Sequence, residues 1–134
     1  RAEWAWRTRE IMEPFLAKGL PVIHHCCGNV GPLIPMAIEM GMSALHPLQP
    51  NCNDIVAYRR RYGARLCLMG NMDLAGVLAR GTPEEVRADT RGHIEALAGG
   101  AGYIVASSHS ITDDVPPENY RAMIETAWRS GATS

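Results

Sequence analysis

The sequence predicts an α/β fold: a parallel sheet built from four strand–helix units behind an incoming helix. Three observations carry this reading. Short apolar runs of strand length alternate with longer stretches whose apolar residues fall at helical spacing. The short runs are continuously apolar, as strands covered on a parallel sheet tend to be. Helix start and stop signals, from N-cap residues to closing glycines, separate them.

The incoming helix carries Trp4, Ile11, Met12, Phe15 and Leu16, with Pro14 expected to kink or restart it and Gly19 to close it. Pro21–Cys26 reads as the first strand and Gly28–Gly31 as a turn. A helix over 32–40 follows, with Pro32 and Pro35 in its first turn and Gly41 suited to the C-terminal cap. Ser43–His46 is the second strand. After the loop Pro47–Cys52, Asn53 or Asp54 caps a helix that ends at Gly63. Leu66–Gly70 is the third strand, and a short helix runs from Asp73 through Leu78. Thr82-Pro83-Glu84-Glu85 forms a capping box for a long helix whose apolar face is Val86, Ile94 and Leu97, closed by Gly99-Gly100. Tyr103–Ser107 is the fourth strand. Pro116-Pro117-Glu118 opens the last helix, with Tyr120, Met123, Ile124, Ala127 and Trp128 on one face.

At 134 residues, with 46% hydrophobic and 20% charged, the chain suits a single globular domain over 1–134. A formal net charge of −1 lacks the cationic excess of a nucleic-acid binder. No apolar run reaches the ~18 residues of a membrane span and no signal peptide opens the chain. Four cysteines in such a chain do not read as a secreted disulfide framework, so a cytoplasmic location is expected. Arg1 in place of Met, inside what reads as a helix, leads us to expect a piece of something larger.

The reactive side chains cluster at strand ends: His25, Cys27 and Asn29; His46 and Gln49; Asn71 and Asp73; Ser108 and His109. In parallel α/β folds the C-terminal ends of the strands form the ligand face. His25 and Cys27, two apart on an extended segment, point to the same side. Imidazole and thiolate suit zinc, and His109 from another strand end is the natural third ligand of an open site. The alternative is a small buried Cys27 with structural or substrate-contacting histidines. His24 and Cys26 point the other way and read as packing, and Cys67 reads as core. Cys52 is a fourth or substitute ligand at most. Asp73 either binds substrate or caps the helix after it. Arg59-Arg60-Arg61 and His93 read as surface, and Trp4, Trp6 and Trp128 as helix or interface packing.

Three sets of residues then carry a family likeness. They are Val22–Asn29; Gly70-Asn71-Met72-Asp73 with Gly81–Val86; and Ser107–Ile111 with Val115–Asn119. In collinear order from Pro21 to Trp128, they resemble the uroporphyrinogen decarboxylase superfamily, C-terminal half. The resemblance implies half of a TIM (β/α)₈ barrel, its last four βα units. It is closest in motif to the zinc-dependent methyltransferases that move methyl groups between a corrinoid protein and a thiol. It implies His25, Cys27 and His109 as zinc ligands, with His109 where that branch usually has a cysteine. His109 and Asp73 would be the catalytic groups, and Asn29, His46, Gln49 and Asn71 substrate-binding residues. The corrinoid would be carried by a partner protein, and the acceptor would be a small thiol. One alternative is a decarboxylase-like lyase with a metal-free polar pocket. Another is an inactive or truncated half-barrel that works only after assembly. Four parallel strands leave two open edges, so a homodimer or a missing N-terminal half is the expected partner.

Overall fold

A computed structural model describes residues 2–99 and 102–131. Arg1, Gly100 and the side chain of Trp4 lie outside the described residues. Four strands, β1 (Ile23–His25), β2 (Ala44–His46), β3 (Cys67–Met72) and β4 (Tyr103–Ser107), form one all-parallel sheet in the order β1-β2-β3-β4. The helices are α1 (Ala2–Leu16), α2 (Ile34–Glu39), α3 (Ile55–Tyr62), α4 (Pro83–Leu97) and α5 (Pro117–Gly131). Sequential, parallel strands with a helical crossover between each pair give four βα units, half the number in a (β/α)₈ barrel.

Register decides which side chains face which way. His24, Leu45, Leu68 and Tyr103 are aligned across the four strands. Leu45 and Leu68 belong to the helix-side core with Ile34, Leu66 and Leu97, and Tyr103 packs against it. Alternation therefore sends Ile23, His25, His46, Met69 and Ile104 to the opposite, concave face. A second core, Met72, Leu78, Val86, Ala122 and Met123, joins β3 to α4 and α5.

Most expected elements form, with four differences. Pro14 does not break α1; it sits in the last turn, where only one intrahelical bond is lost. The helix expected over 32–40 begins as a 3₁₀ turn, Gly31–Leu33. Pro35 cannot donate, and Ile34 closes the tighter turn by donating to the Gly31 carbonyl. β3 runs two residues further than expected because Asn71 and Met72 pair with Ala106 and Ser107 of β4. Finally, α5 buries Asn119, Ala122, Met123 and Thr126, leaving Tyr120, Ile124 and Trp128 exposed. Only Met123 of the expected apolar face reaches the core.

Other features match the sequence. Asp54 caps α3 through a 2.9 Å bond from Ala57 N–H. The Thr82/Glu85 capping box opens α4, with both reciprocal bonds present. Within the arginine run, Arg60 and Arg61 are exposed. Arg59 is not merely solvated: it donates to the Gly63 and Gly99 carbonyls at 3.0 and 2.8 Å, tying α3 to the loop before β4. Trp6 and Trp128 are exposed rather than packed within the chain. No helix among the described residues is long and apolar enough to cross a membrane.

Candidate functional site

His25 is the last residue of β1, and Cys27 follows on the same side. Its Nε2 lies 3.5 Å from the Cys27 Sγ. The loop after β4 brings His109 edge-on to the His25 ring, with ring centres 6.1 Å apart. One ligand atom from each of the three lies within 4.8 Å of the others, all on exposed residues. Zinc bonds of about 2.0–2.1 Å to nitrogen and about 2.3 Å to sulfur set tetrahedral donors roughly 3.3–3.8 Å apart. The His25–Cys27 pair meets that spacing, and the widest pair, at 4.8 Å, needs to close by about 1.2–1.5 Å. Two imidazoles and one thiol are a zinc donor set that leaves one position for substrate, so the residues fit the ion.

The loop carrying Cys27 is held by two side chains from the next unit. Gly28 N–H donates to Gln49 Oε1 at 2.6 Å. Asn53, buried, accepts from Val30 N–H at 3.0 Å and donates to the Gly28 and Gln49 carbonyls at 2.9 and 3.0 Å. Gly28 takes φ +82, a left-handed turn that suits glycine. Asn29 is used locally, accepting from Gly31 N–H at 3.1 Å. Asn53 stood out in the sequence only as a second candidate for the cap that Asp54 supplies. That surplus was the one available signal of its larger role.

His46 stands across from His25, with Nδ1 to Nδ1 at 2.9 Å. Burial holds the His46 ring below the usual imidazole pKa, aided by the neighbouring His25 and His109 and opposed by a backbone hydrogen bond with Ser107. His24 is also depressed, by burial first and by His25 second. Cys26 packs against the helix-side core as expected. Cys67 is half-buried, and that burial raises its thiol pKa.

Asp73 precedes a wide turn over Leu74–Leu78, closed by Leu78 N–H donating to the Asp73 carbonyl at 3.0 Å. Its carboxylate makes no capping bond. Asp73 instead lines a cavity of ≈ 480 Å³ with Gln49, Arg80, Ser108 and His109. Ser108 is buried and fixes this wall, accepting from Leu74 N–H at 3.1 Å.

Asn71 is not brought to the His25–Cys27–His109 cluster. It lies inside β3 with φ +95, donates to the Leu48 carbonyl, and presents Oδ1 to His93 Nε2 at 3.2 Å. His93 is therefore not a surface residue. It links α4 to β3, and with Asn71, Asp89 and Cys52 lines a separate cleft of ≈ 560 Å³ between α3 and α4. Cys52 faces that cleft rather than the cluster. A lone histidine 22 residues from its partner leaves no sequence signal.

Comparison with known proteins fits this arrangement. The sequence profile described as uroporphyrinogen decarboxylase (URO-D) matches residues 7–129. The chain belongs to the uroporphyrinogen decarboxylase family. Among curated relatives, the uroporphyrinogen decarboxylase of Methylococcus capsulatus is 39% identical over 72 residues, covering 54% of this chain and 20% of that protein. The enzyme of the same name from Legionella pneumophila strain Lens is 35% identical over 97 residues, covering 72% of this chain and 26% of that one. Among solved structures, a methyltransferase from Methanosarcina mazei superposes with a TM-score of 0.69 at 21% identity, covering 84% of this chain and 32% of the other. That likeness establishes the shared fold. The chain spans about a quarter or less of the length of these curated relatives.

Proposed function

We propose that this chain is the metal-bearing part of a thiol methyltransferase of the URO-D family. The observation that carries this reading is the convergence of His25, Cys27 and His109, from two separate strand ends, within 4.8 Å. Bound there, zinc would lower the pKa of a substrate thiol and favour its thiolate. Cys27 contributes the anionic donor, and His25 and His109 contribute neutral imidazoles. Asp73 and Gln49, on the cavity wall shared with His109, hold and orient the substrate, the Asp73 carboxylate accepting the thiol proton. The methyl donor is a methylated corrinoid on a partner protein. When bound, such a corrinoid would supply the methyl group that the substrate thiolate accepts.

Metal analysis of the purified protein tests the reading. About one zinc per chain is expected for the unaltered protein, with loss of most of it in Cys27→Ser. Equal metal content in the two proteins overturns it.

A second reading is supported by the relatives at 35–39% identity, which are uroporphyrinogen decarboxylases. In it, His109 and Asp73 are polar groups of a metal-free pocket acting on a carboxylated substrate. A metal-free protein that retains ligand binding would favour this alternative.

A further inference from the structure

Cys27 lies where the pairing of β1 with β2 stops. Upstream, Cys26 N–H donates to the His46 carbonyl at 2.9 Å. The Cys27 peptide groups make no backbone hydrogen bond to the sheet among the described residues. Downstream, Gly28 turns the chain with φ +82, and a Cβ added there would meet nothing within 4 Å. Cys26 and Val30 pack on the helix-side core, whereas Cys27 and Asn29 between them are exposed. Apolar packing therefore does not fix the thiol-bearing residue.

Hydrogen bonds from the next βα unit do so instead. Gln49 Oε1 accepts from Gly28 N–H at 2.6 Å, and Asn53 Nδ2 donates to the Gly28 carbonyl at 2.9 Å. Both polar groups of the residue that follows Cys27 are thus gripped by side chains. Asn53 Oδ1 also accepts from Val30 N–H at 3.0 Å, and its Nδ2 donates to the Gln49 carbonyl at 3.0 Å. These partners leave no choice of amide orientation, because an N–H requires the oxygen and a carbonyl requires the nitrogen. Asn53 is only 6% exposed, so water competes little for its bonds. The segment carrying both side chains is itself seated. Leu48 is fully buried, and its carbonyl accepts from Asn71 Nδ2 of β3.

We propose that Asn53 and Gln49 are positioning residues for Cys27: by fixing Gly28 they hold the thiol beside His25 before any metal arrives. The proposal deepens the metal reading above and rests on it for its purpose, while the clamp exists without metal. Its consequence is that donor spacing is built partly by residues outside the donor set. A preorganised site gives up less chain entropy on binding. Outer partners that orient ligands commonly contribute about 10- to 100-fold in metal affinity.

Amide hydrogen exchange of the metal-free protein and cobalt(II) titration of the same samples test this. Gln49→Met removes the acceptor at similar length, and Gln49→Glu keeps it. Gln49→Met should speed exchange at Gly28 N–H by about 10-fold, with the core amide of Leu68 in β3 unchanged. The same variant should weaken cobalt(II) binding about 10- to 100-fold, and Gln49→Glu should bind at least as tightly as the unaltered protein. Asn53→Ala should speed exchange at Val30 N–H and weaken cobalt(II) binding by a similar factor. Unchanged exchange at Gly28 in Gln49→Met overturns the clamp, whether or not Asn53→Ala folds. Faster exchange with unchanged cobalt affinity overturns its role in placing Cys27. Absence of cobalt binding by the unaltered protein, with exchange as expected, would count against the metal reading and leave the clamp standing.

Discussion

Around the site, individual residues do more building than contact with solvent suggests. His46 ends β2 and Gln49 and Asn53 lie on the segment after it, yet each acts on the β1 end: two hold the Cys27 loop and one faces His25. Gly70 shows how closely that segment is seated. With φ +125, an added Cβ would stand 2.1 Å from the Pro47 carbonyl oxygen. The histidines also make stability depend on pH. His24 and His46 are held below the ordinary 6.5 by burial, so unfolding in acid lets both take up protons. Their stabilising effect is fully present above the unfolded value and is lost as pH falls below about 6.5 through their lower folded values. The urea midpoint of the metal-free protein should therefore fall between about pH 7.5 and about pH 5, more steeply than in a His24→Gln/His46→Gln double variant. Identical slopes would reject the assignment.

Elements were legible where their signals are local. The capping box at Thr82 and Glu85, the Asp54 cap and the Tyr103–Ser107 strand are read from a few adjacent residues, and the structure forms all three. The cysteine–histidine spacing after β1 was legible for the same reason. What local pattern does not encode is long-range polar pairing. Asn119 is the clearest case: it lies in the first turn of α5, almost fully buried, and donates to the carbonyls of Leu78 and Gly81, 41 and 38 residues away. These bonds dock α5 on the turn before α4. The apolar face expected for α5 was misplaced because exposed Tyr120, Ile124 and Trp128 have the same spacing as a core stripe. Asn119→Ala should remove the buried bond to the Leu78 carbonyl and the part-buried bond to the Gly81 carbonyl and destabilise the fold by about 2–3 kcal/mol in urea unfolding, with an unchanged m-value. A loss below about 0.5 kcal/mol would show that another group replaces the bond.

At the scale of the sheet, β1 and β4 are the two edges, and neither pairs with a further strand among the described residues. Open edges of a parallel sheet seldom remain bare, because their backbone groups can pair with another chain. Apolar side chains gather toward both ends. Ile11, Phe15, Leu20 and Ile23 are exposed on α1 and around β1, while Ile104, Ile124 and Trp128 are exposed on β4 and α5. Beside the β4 edge, Val105, Ile124, Ala127, Trp128 and Gly131 line an apolar hollow of ≈ 510 Å³. A two-fold axis parallel to the strands would set β4 of one copy against β1 of the next with all strands still parallel. Both edges would then close in one eight-stranded ring. We predict that the isolated chain dimerises through these edges, giving a sedimentation mass near twice 14.6 kDa. Trp128→Glu, a charge on a residue 79% exposed, should shift the protein toward monomer without unfolding it. A monomer throughout the micromolar range, or a dimer indifferent to Trp128→Glu and to Ile104→Lys alike, would refute pairing through these edges. The concave face bearing His25, His46 and Ile104 would be enclosed by the same closure, so assembly and the candidate site are linked. On the metal reading proposed above, zinc retention should therefore fall when the edge variants become monomeric.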